Sequence, residues 1–167
     1  YIKYKYTEKS TFVHISGELE HAERYLIFQK KKTGDRLEYS IQVPKELHMQ
    51  KMPSDILMPF MQNAFYNGVM LKKEGGEITV SGYVRNGNVI LEISDTGPGL
   101  TEAELDIRYE AYKEKHEGRY IKIGMEYAKE KMKRLFGKEY SIITENYRNK
   151  GSKSILLWPE HYEERTE

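Results

Sequence analysis

An α+β two-layer sandwich, with helices on one face of a mixed, mostly antiparallel sheet, is the fold this sequence predicts. Three observations lead there. Two pairs of segments with alternating polarity, Glu77 to Val84 with Asn88 to Ser94 and Tyr140 to Glu145 with Ser152 to Trp158, read as hairpins. Stretches with helical spacing, near residues 16–32, 54–68 and 121–136, separate the strands. A length of 167 residues suits one domain with a real core, and paired strands divided by helices give the layered class.

Composition narrows the function classes. Lys+Arg 27 against Asp+Glu 26 leaves a formal net charge of +1, so net charge implies neither nucleic acid nor an anionic membrane as partner. The chain has no cysteine, which excludes a disulfide framework and thiol catalysis. No apolar run approaches the roughly 20 residues of a membrane span, and no signal peptide precedes the first residue. The sequence starts at Tyr1 without an initiator Met. A fragment of a longer protein is therefore expected, with any membrane segments lying elsewhere.

In chain order, Tyr1 to Phe12 places Tyr1, Tyr4 and Tyr6 among lysines and reads as the end of an upstream helix or as a tether. Ser16 is expected to cap a helix running to about Lys32, with Ile15, Leu19, Ala22 and Leu26 as its apolar stripe and Gly34 as its stop. Leu37 to Val43 alternates with period two and reads as a strand ended by Pro44. Pro53 then opens a helix from Ser54 to about Gly68, whose broad apolar face holds Ile56, Leu57, Phe60, Met61, Ala64 and Phe65. Pro59 within it removes a backbone donor, so a kink is expected. Asn63 and Asn67 lie one turn apart on one face. Two such amides are either solvent-facing or satisfied by neighbouring loops, or they serve chemistry. An amide oxygen suits a hard cation such as Mg²⁺, which keeps waters and phosphates as its other ligands.

Arg85-Asn86-Gly87 joins the first hairpin, and Asn-Gly is a strong two-residue turn signal. The second strand delivers Asp95 to Thr96-Gly97-Pro98-Gly99-Leu100. Gly97 and Gly99 permit positive φ and close approach of a ligand, while Pro98 stiffens the turn. This is either an ordinary strand-ending turn or a cradle for a flat, polar ligand. Thr101 to about Glu117 is charged, with Thr101 and Glu104 in capping-box spacing, and reads as a cover over a site or as a plain surface helix. Ile121 to Phe136 follows with Ile121, Met125, Ala128, Met132 and Leu135 at helical spacing. Its methionines read as core. Gly124 is expected at the start of this helix, where free N–H groups and Lys122 attract anions. The last hairpin turns at Asn149-Lys150-Gly151, and Pro159 ends it.

Leu57-Met58-Pro59-Phe60-Met61-Gln62-Asn63-Ala64 resembles the N box of sensor histidine kinases, Asp95-Thr96-Gly97-Pro98-Gly99-Leu100 their first glycine box, and Ile123-Gly124-Met125 the second. The lead-in from Gly17 to Leu26 and Gly34 to Leu37 is similar to that of the YesM and LytS subgroup. The resemblance covers Glu18 to Trp158 and implies the Bergerat ATP-binding fold shared with gyrase, Hsp90 and MutL. It implies that Asp95 bonds the adenine amino group, that Asn63 binds Mg²⁺, that Gly97 and Gly99 shape the adenine pocket, and that Gly124 sits against the phosphates under a lid from Leu100 to Tyr120. The cofactors implied are ATP and Mg²⁺.

On this reading residues 17–160 form the catalytic domain, 1–16 the tail of an upstream dimerisation helix or linker, and 161–167 a charged tail. The phosphoacceptor histidine belongs to a preceding dimerisation domain. His14, His21, His48, His116 and His161 stand outside any such motif. Implied partners are that domain and a response regulator, within a homodimeric, membrane-anchored bacterial sensor whose catalytic domain is cytoplasmic. The chain departs from the subgroup at four places. Gln62 replaces the usual Glu and cannot act as a general base, Asn67 replaces a His or Lys, Lys122 stands where a glycine is expected, and Tyr127 stands where Asn is frequent. Lys122 is a candidate to restore the phosphate-facing charge. These departures leave a second reading open, a degenerate nucleotide-binding or interaction module, and a third, an ATPase or protein-serine kinase of the same fold.

Overall fold

The computed structural model describes residues 11–111 and 116–164. Most of the Tyr1 to Phe12 stretch, residues 112–115 of the expected lid and the end of the charged tail lie outside the described residues. In chain order the elements are β1 (Phe12–His14), α1 (Ile15–Thr33), β2 (Leu37–Gln42), α2 (Lys45–His48), β3 (Lys51–Pro53), α3 (Met58–Tyr66), β4 (Gly76–Arg85), β5 (Asn88–Asp95), α4 (Glu102–Ala111), α5 (His116–Phe136), β6 (Ser141–Tyr147) and β7 (Gly151–Pro159). Five strands form one sheet in the order β2-β4-β5-β7-β6. Among the described residues only the β2–β4 pair of this sheet is parallel. The mixed sheet with helices on one face is as the sequence predicts.

Alternation decides which face is buried. Val89, Leu91 and Ile93 of β5 point into the core with Ile78 and Val80 of β4 and Leu156 and Trp158 of β7. On them pack Leu19, Ala22 and Leu26 of α1, Phe60, Met61, Ala64 and Phe65 of α3, and Ala128, Met132 and Leu135 of α5. The opposite face carries Thr79, Ser81, Glu92 and Lys153, cross-strand neighbours that include a Lys153–Glu92 pair at 3.7 Å. The β4–β5 connection is the two-residue turn expected, with Asn86 and Gly87 both at positive φ.

Several expectations need correction. Ser16 does not cap α1. The helix begins at Ile15, and the Ile15 N–H donates to the Gln50 carbonyl at 2.8 Å, so main chain does the work assigned to a side chain. A small antiparallel sheet, β1 with β3, supplies that contact. Residue 16 lies inside α1, and Phe12 and Ile15 join the core. Tyr162, expected in the tail, packs between Phe12 and Phe136, tilted against the first ring and edge-on to the second.

The helix expected from Ser54 starts only at Met58. Pro53 ends β3, and Asp55 at φ 62° breaks the helical run. Pro59 consequently falls in the first turn, where its missing N–H has no helical partner to lose, and the expected kink has no cause. The last long helix starts earlier than its apolar pattern, at His116, so Gly124 lies more than two turns inside α5 and not at a helix start. Its periodicity signal begins at Ile121 because the sequence His116-Glu117-Gly118-Arg119 before it has no apolar side chain at helical spacing.

Candidate functional site

The predicted residues lie on α3, at the end of β5 and in the turn after it, and on α5. β5 ends on Asp95, α3 carries Gln62 and Asn63 and closes on Asn67 as its C-cap residue, and α4 lies over α3 from the side of α5. Asp95 is 7% exposed, and its Oδ1 accepts the Gly97 N–H at 2.8 Å. Burial pushes its carboxyl up to about 6, against hydrogen bonds from the backbone of Gly97 and Ser152 that hold it down.

Two glycines, Gly68 and Gly97, let the backbone close around this carboxylate. A Cβ on Gly68 would meet Asp95 Cγ at 2.6 Å, and a Cβ on Gly97 would meet Gly68 Cα at 2.5 Å. The turn after α3 therefore lies directly on the turn after β5. Gly99 at φ 66° packs against the main chain of Tyr147, and Asn149 N–H donates to the Pro98 carbonyl at 2.9 Å. The glycines expected to make room for a ligand also make room for neighbouring main chain.

Asn63 and Asn67 are both buried, and the Asn67 amide donates to Asn63 Oδ1 at 2.8 Å. Asn67 also donates to the Tyr109 hydroxyl at 3.3 Å and accepts from Arg108 Nε at 3.4 Å. These contacts tie α4 to the end of α3. A cavity of about 240 Å³ opens between α3, α4, α5 and β6, with Asn63, Tyr109, Lys122, Met125 and Asn146 among its lining. Lys122 Nζ pairs with Asp106 of α4 at 3.2 Å across it, which raises the lysine's affinity for its proton.

The placement of the predicted residues is uneven. Asn63, Lys122 and Met125 face the cavity, while Asp95 and Gln62 are not part of its wall. Leu100 is partly buried where the turn leads toward α4, and Ile123 is 49% exposed. Gly124 packs against Pro59, which a Cβ would meet at 3.0 Å, so its lack of a side chain serves the α3–α5 contact. Tyr109, Arg108 and Gly68 were missed. For Gly68 a signal existed, a glycine directly after the second Asn of α3, whereas nothing in the charged α4 segment marks Tyr109 and Arg108 as facing inward.

The donor set also limits any metal. Among the described residues there is no group of three His, Cys, Asp or Glu side chains able to hold an ion. Asn63 Oδ1 alone fits a hard cation that takes its remaining ligands from water and phosphate. The expected cover does form a helix, and Thr101 Oγ1 accepts the Glu104 N–H at 3.2 Å, one half of the capping box. No helix of the described residues is long and apolar enough to cross a membrane.

Comparison with known proteins bears on the family and the fold. The family model described as histidine kinase-, DNA gyrase B-, and HSP90-like ATPase matches residues 53–162. The sensor histidine kinase BtsS of Escherichia coli (strain K12) is 27% identical over 133 residues, 80% of this chain and 21% of BtsS. The sensor protein LytS of Bacillus cereus is 22% identical over 151 residues, 90% of this chain and 25% of LytS. The chain thus spans a quarter or less of these curated relatives. Among solved structures, the nucleotide-free catalytic domain of the histidine kinase ThkA superposes with a TM-score of 0.59 at 15% identity, covering 90% of this chain and 95% of that one. The histidine kinase AdeS of Acinetobacter baumannii superposes with a TM-score of 0.58 at 14% identity, covering 92% and 70%. At such identities the structural likeness speaks for the fold.

Proposed function

The chain belongs to the histidine kinase-, DNA gyrase B- and HSP90-like ATPase family, and on that premise we propose that it is the ATP-binding catalytic domain of a two-component sensor histidine kinase. Asp95 carries the proposal. A carboxylate this deeply buried, whose offsetting bonds come from the backbone of Gly97 and Ser152, gains from a ligand that brings a hydrogen-bond donor. The adenine amino group is such a donor, and the glycine-lined turns of Gly68, Gly97 and Gly99 suit a flat base. Leu100 closes the turn on the side of α4.

Asn63 and Lys122 share one cavity, which suits the phosphates. In this reading Asn63 would hold Mg²⁺ through its amide oxygen, and the ion would supply charge neutralisation at the phosphates. Lys122, paired here with Asp106, would face the same charge, and Asn67 would yield Asn63 Oδ1 to the ion. Met125 and Ile123 flank Gly124 on the adjoining turn of α5. Gln62 takes up no proton, and phosphoryl transfer asks mainly for positioning and electrostatic stabilisation. The acceptor is a histidine on a dimerisation domain outside this chain, and the phosphoryl group passes on to a response regulator. The parent is a homodimeric, membrane-anchored bacterial sensor with this domain in the cytoplasm.

Calorimetric titration with ATP and ADP, with and without Mg²⁺, tests the assignment. Asp95→Asn exchanges a charged acceptor for a mixed amide and weakens binding about 10- to 100-fold, the value of a charge-assisted bond of about 1.5–3 kcal/mol. Asn63→Ala removes the magnesium dependence and leaves metal-free binding near that of the wild type. A folded wild-type chain that binds neither nucleotide refutes the proposal.

A further inference from the structure

α3 carries Asn63 and Asn67, yet its own start is weakly defined. Its N-cap residue Leu57 offers no side-chain hydrogen bond. The lead-in, residues 54–57, is irregular, with Asp55 in the left-handed region at φ 62°. Two buried charged side chains from other helices hold this short loop. Glu18 of α1, 7% exposed, accepts the Asp55 N–H at 2.9 Å and also takes a backbone bond from Leu57. Lys131 of α5, 3% exposed, donates to the Ser54 carbonyl at 2.9 Å and to Ser54 Oγ at 3.0 Å. The Ser54 N–H goes to the Thr11 carbonyl at 2.9 Å, next to β1.

Stability alone does not explain these groups. Buried charges lose hydration, and an apolar side chain of similar shape in such a place is frequently as stable or more so. A carboxylate and an ammonium, approaching from opposite helices, are instead both directed at main-chain groups of one loop. Those groups are oriented, whereas an apolar contact leaves a short loop free to slide. The loop in turn sets where the first turn of α3 lies, and Asn63 follows one turn later.

We propose that Glu18 and Lys131 are positioning residues that clamp residues 54–57 and so set the place of Asn63 for metal and phosphate. This rests on Asn63 being the metal-binding amide of the proposed function. Neither side chain touches the nucleotide. Each acts through α3, and a displacement on the order of 1 Å at a positioned group is enough to cost up to about 100-fold.

The test combines Glu18→Gln, which keeps the shape, and Lys131→Met, which keeps the length without the charge, each alone and with Asn63→Ala. ADP is titrated with Mg²⁺ and again with a chelator, and the side-chain amide NMR signals of Asn63 and Asn67 are recorded in the metal-free protein. The expected result is about a tenfold loss of affinity confined to the magnesium condition, absent in the Asn63→Ala background, with both amide signals shifted. Wild-type affinity in both variants, or equal losses with and without metal, overturns the proposal. If the wild type shows no magnesium dependence, the metal assignment fails, and unshifted amide signals in the metal-free variants then overturn the clamp separately. Should Glu18→Gln not fold, Lys131→Met decides by the same criteria.

Discussion

Asp95 owes its chemistry to the turn that buries it. With its carboxyl pushed up to about 6 from an ordinary 3.8, the folded chain binds this proton more tightly than the unfolded chain does. Between about pH 4 and 6 the folded state therefore holds more protons, so this group's contribution to stability is full at low pH and is lost as pH rises through that window. Asp95→Asn removes the cost. The variant should be more stable than the wild type at pH 7.5, by up to about 3 kcal/mol for a shift of this size, with the difference closing toward pH 4. Urea unfolding of both proteins across that range measures it, and parallel pH profiles would refute it. The stability sacrificed at neutral pH is what a site poised for a hydrogen-bonding ligand would show. Gly68 belongs to the same account, since any side chain there would enter the carboxylate.

At the scale of elements, α3 is the part that the others position. Asn67, which stands where the subgroup has His or Lys, joins the end of α3 to α4 through Tyr109 and Arg108 and bonds Asn63 within α3. Gly124, read as a phosphate contact at a helix start, is the point where α5 comes close to Pro59 of α3. An added methyl there meets the proline ring at 3.0 Å, while replacing a glycine inside a helix gains up to about 1 kcal/mol, so Gly124→Ala should be nearly neutral. Gly124→Val overpacks the contact and should cost about 1–3 kcal/mol. Denaturant unfolding of the two variants compares them directly, and a harmless valine would show that α5 does not rest on Pro59 through this position.

For the whole molecule, one buried sheet face supports everything else. Leu91 is fully buried in the central strand and pairs with Gly82 and Leu156. Leu91→Ala should cost about 2–5 kcal/mol. Ile143 is 52% exposed on the edge strand β6, and Ile143→Ala should stay within about 0.5 kcal/mol. Unfolding midpoints in guanidinium order the two, and similar losses would mean that the outer face is covered in solution. The same sheet delivers Asp95, since β5 runs between β4 and β7 and ends at the turns of Gly68 and Gly151.

Periodicity in the sequence determined the α+β class, the two hairpins and their turn residues, the stripes of α1 and α5, and the glycine-rich turn after Asp95. Each is local, because side-chain spacing and turn chemistry act over a few residues. The tertiary structure decided what depends on partners distant in the chain. Ser16 lost its cap role to the Gln50 carbonyl, Pro59 became a first-turn residue because Asp55 broke the run before it, and Gly124 moved inside α5 because that helix continues past its apolar stripe. The β1–β3 pair was invisible because strands of three residues are too short for a pattern. No pattern in the sequence marks Glu18, Lys131 and Tyr109 as facing inward. The burial of Glu18 and Lys131 and the half-buried place of Tyr109 depend on which helices meet, and only packing brings those helices together.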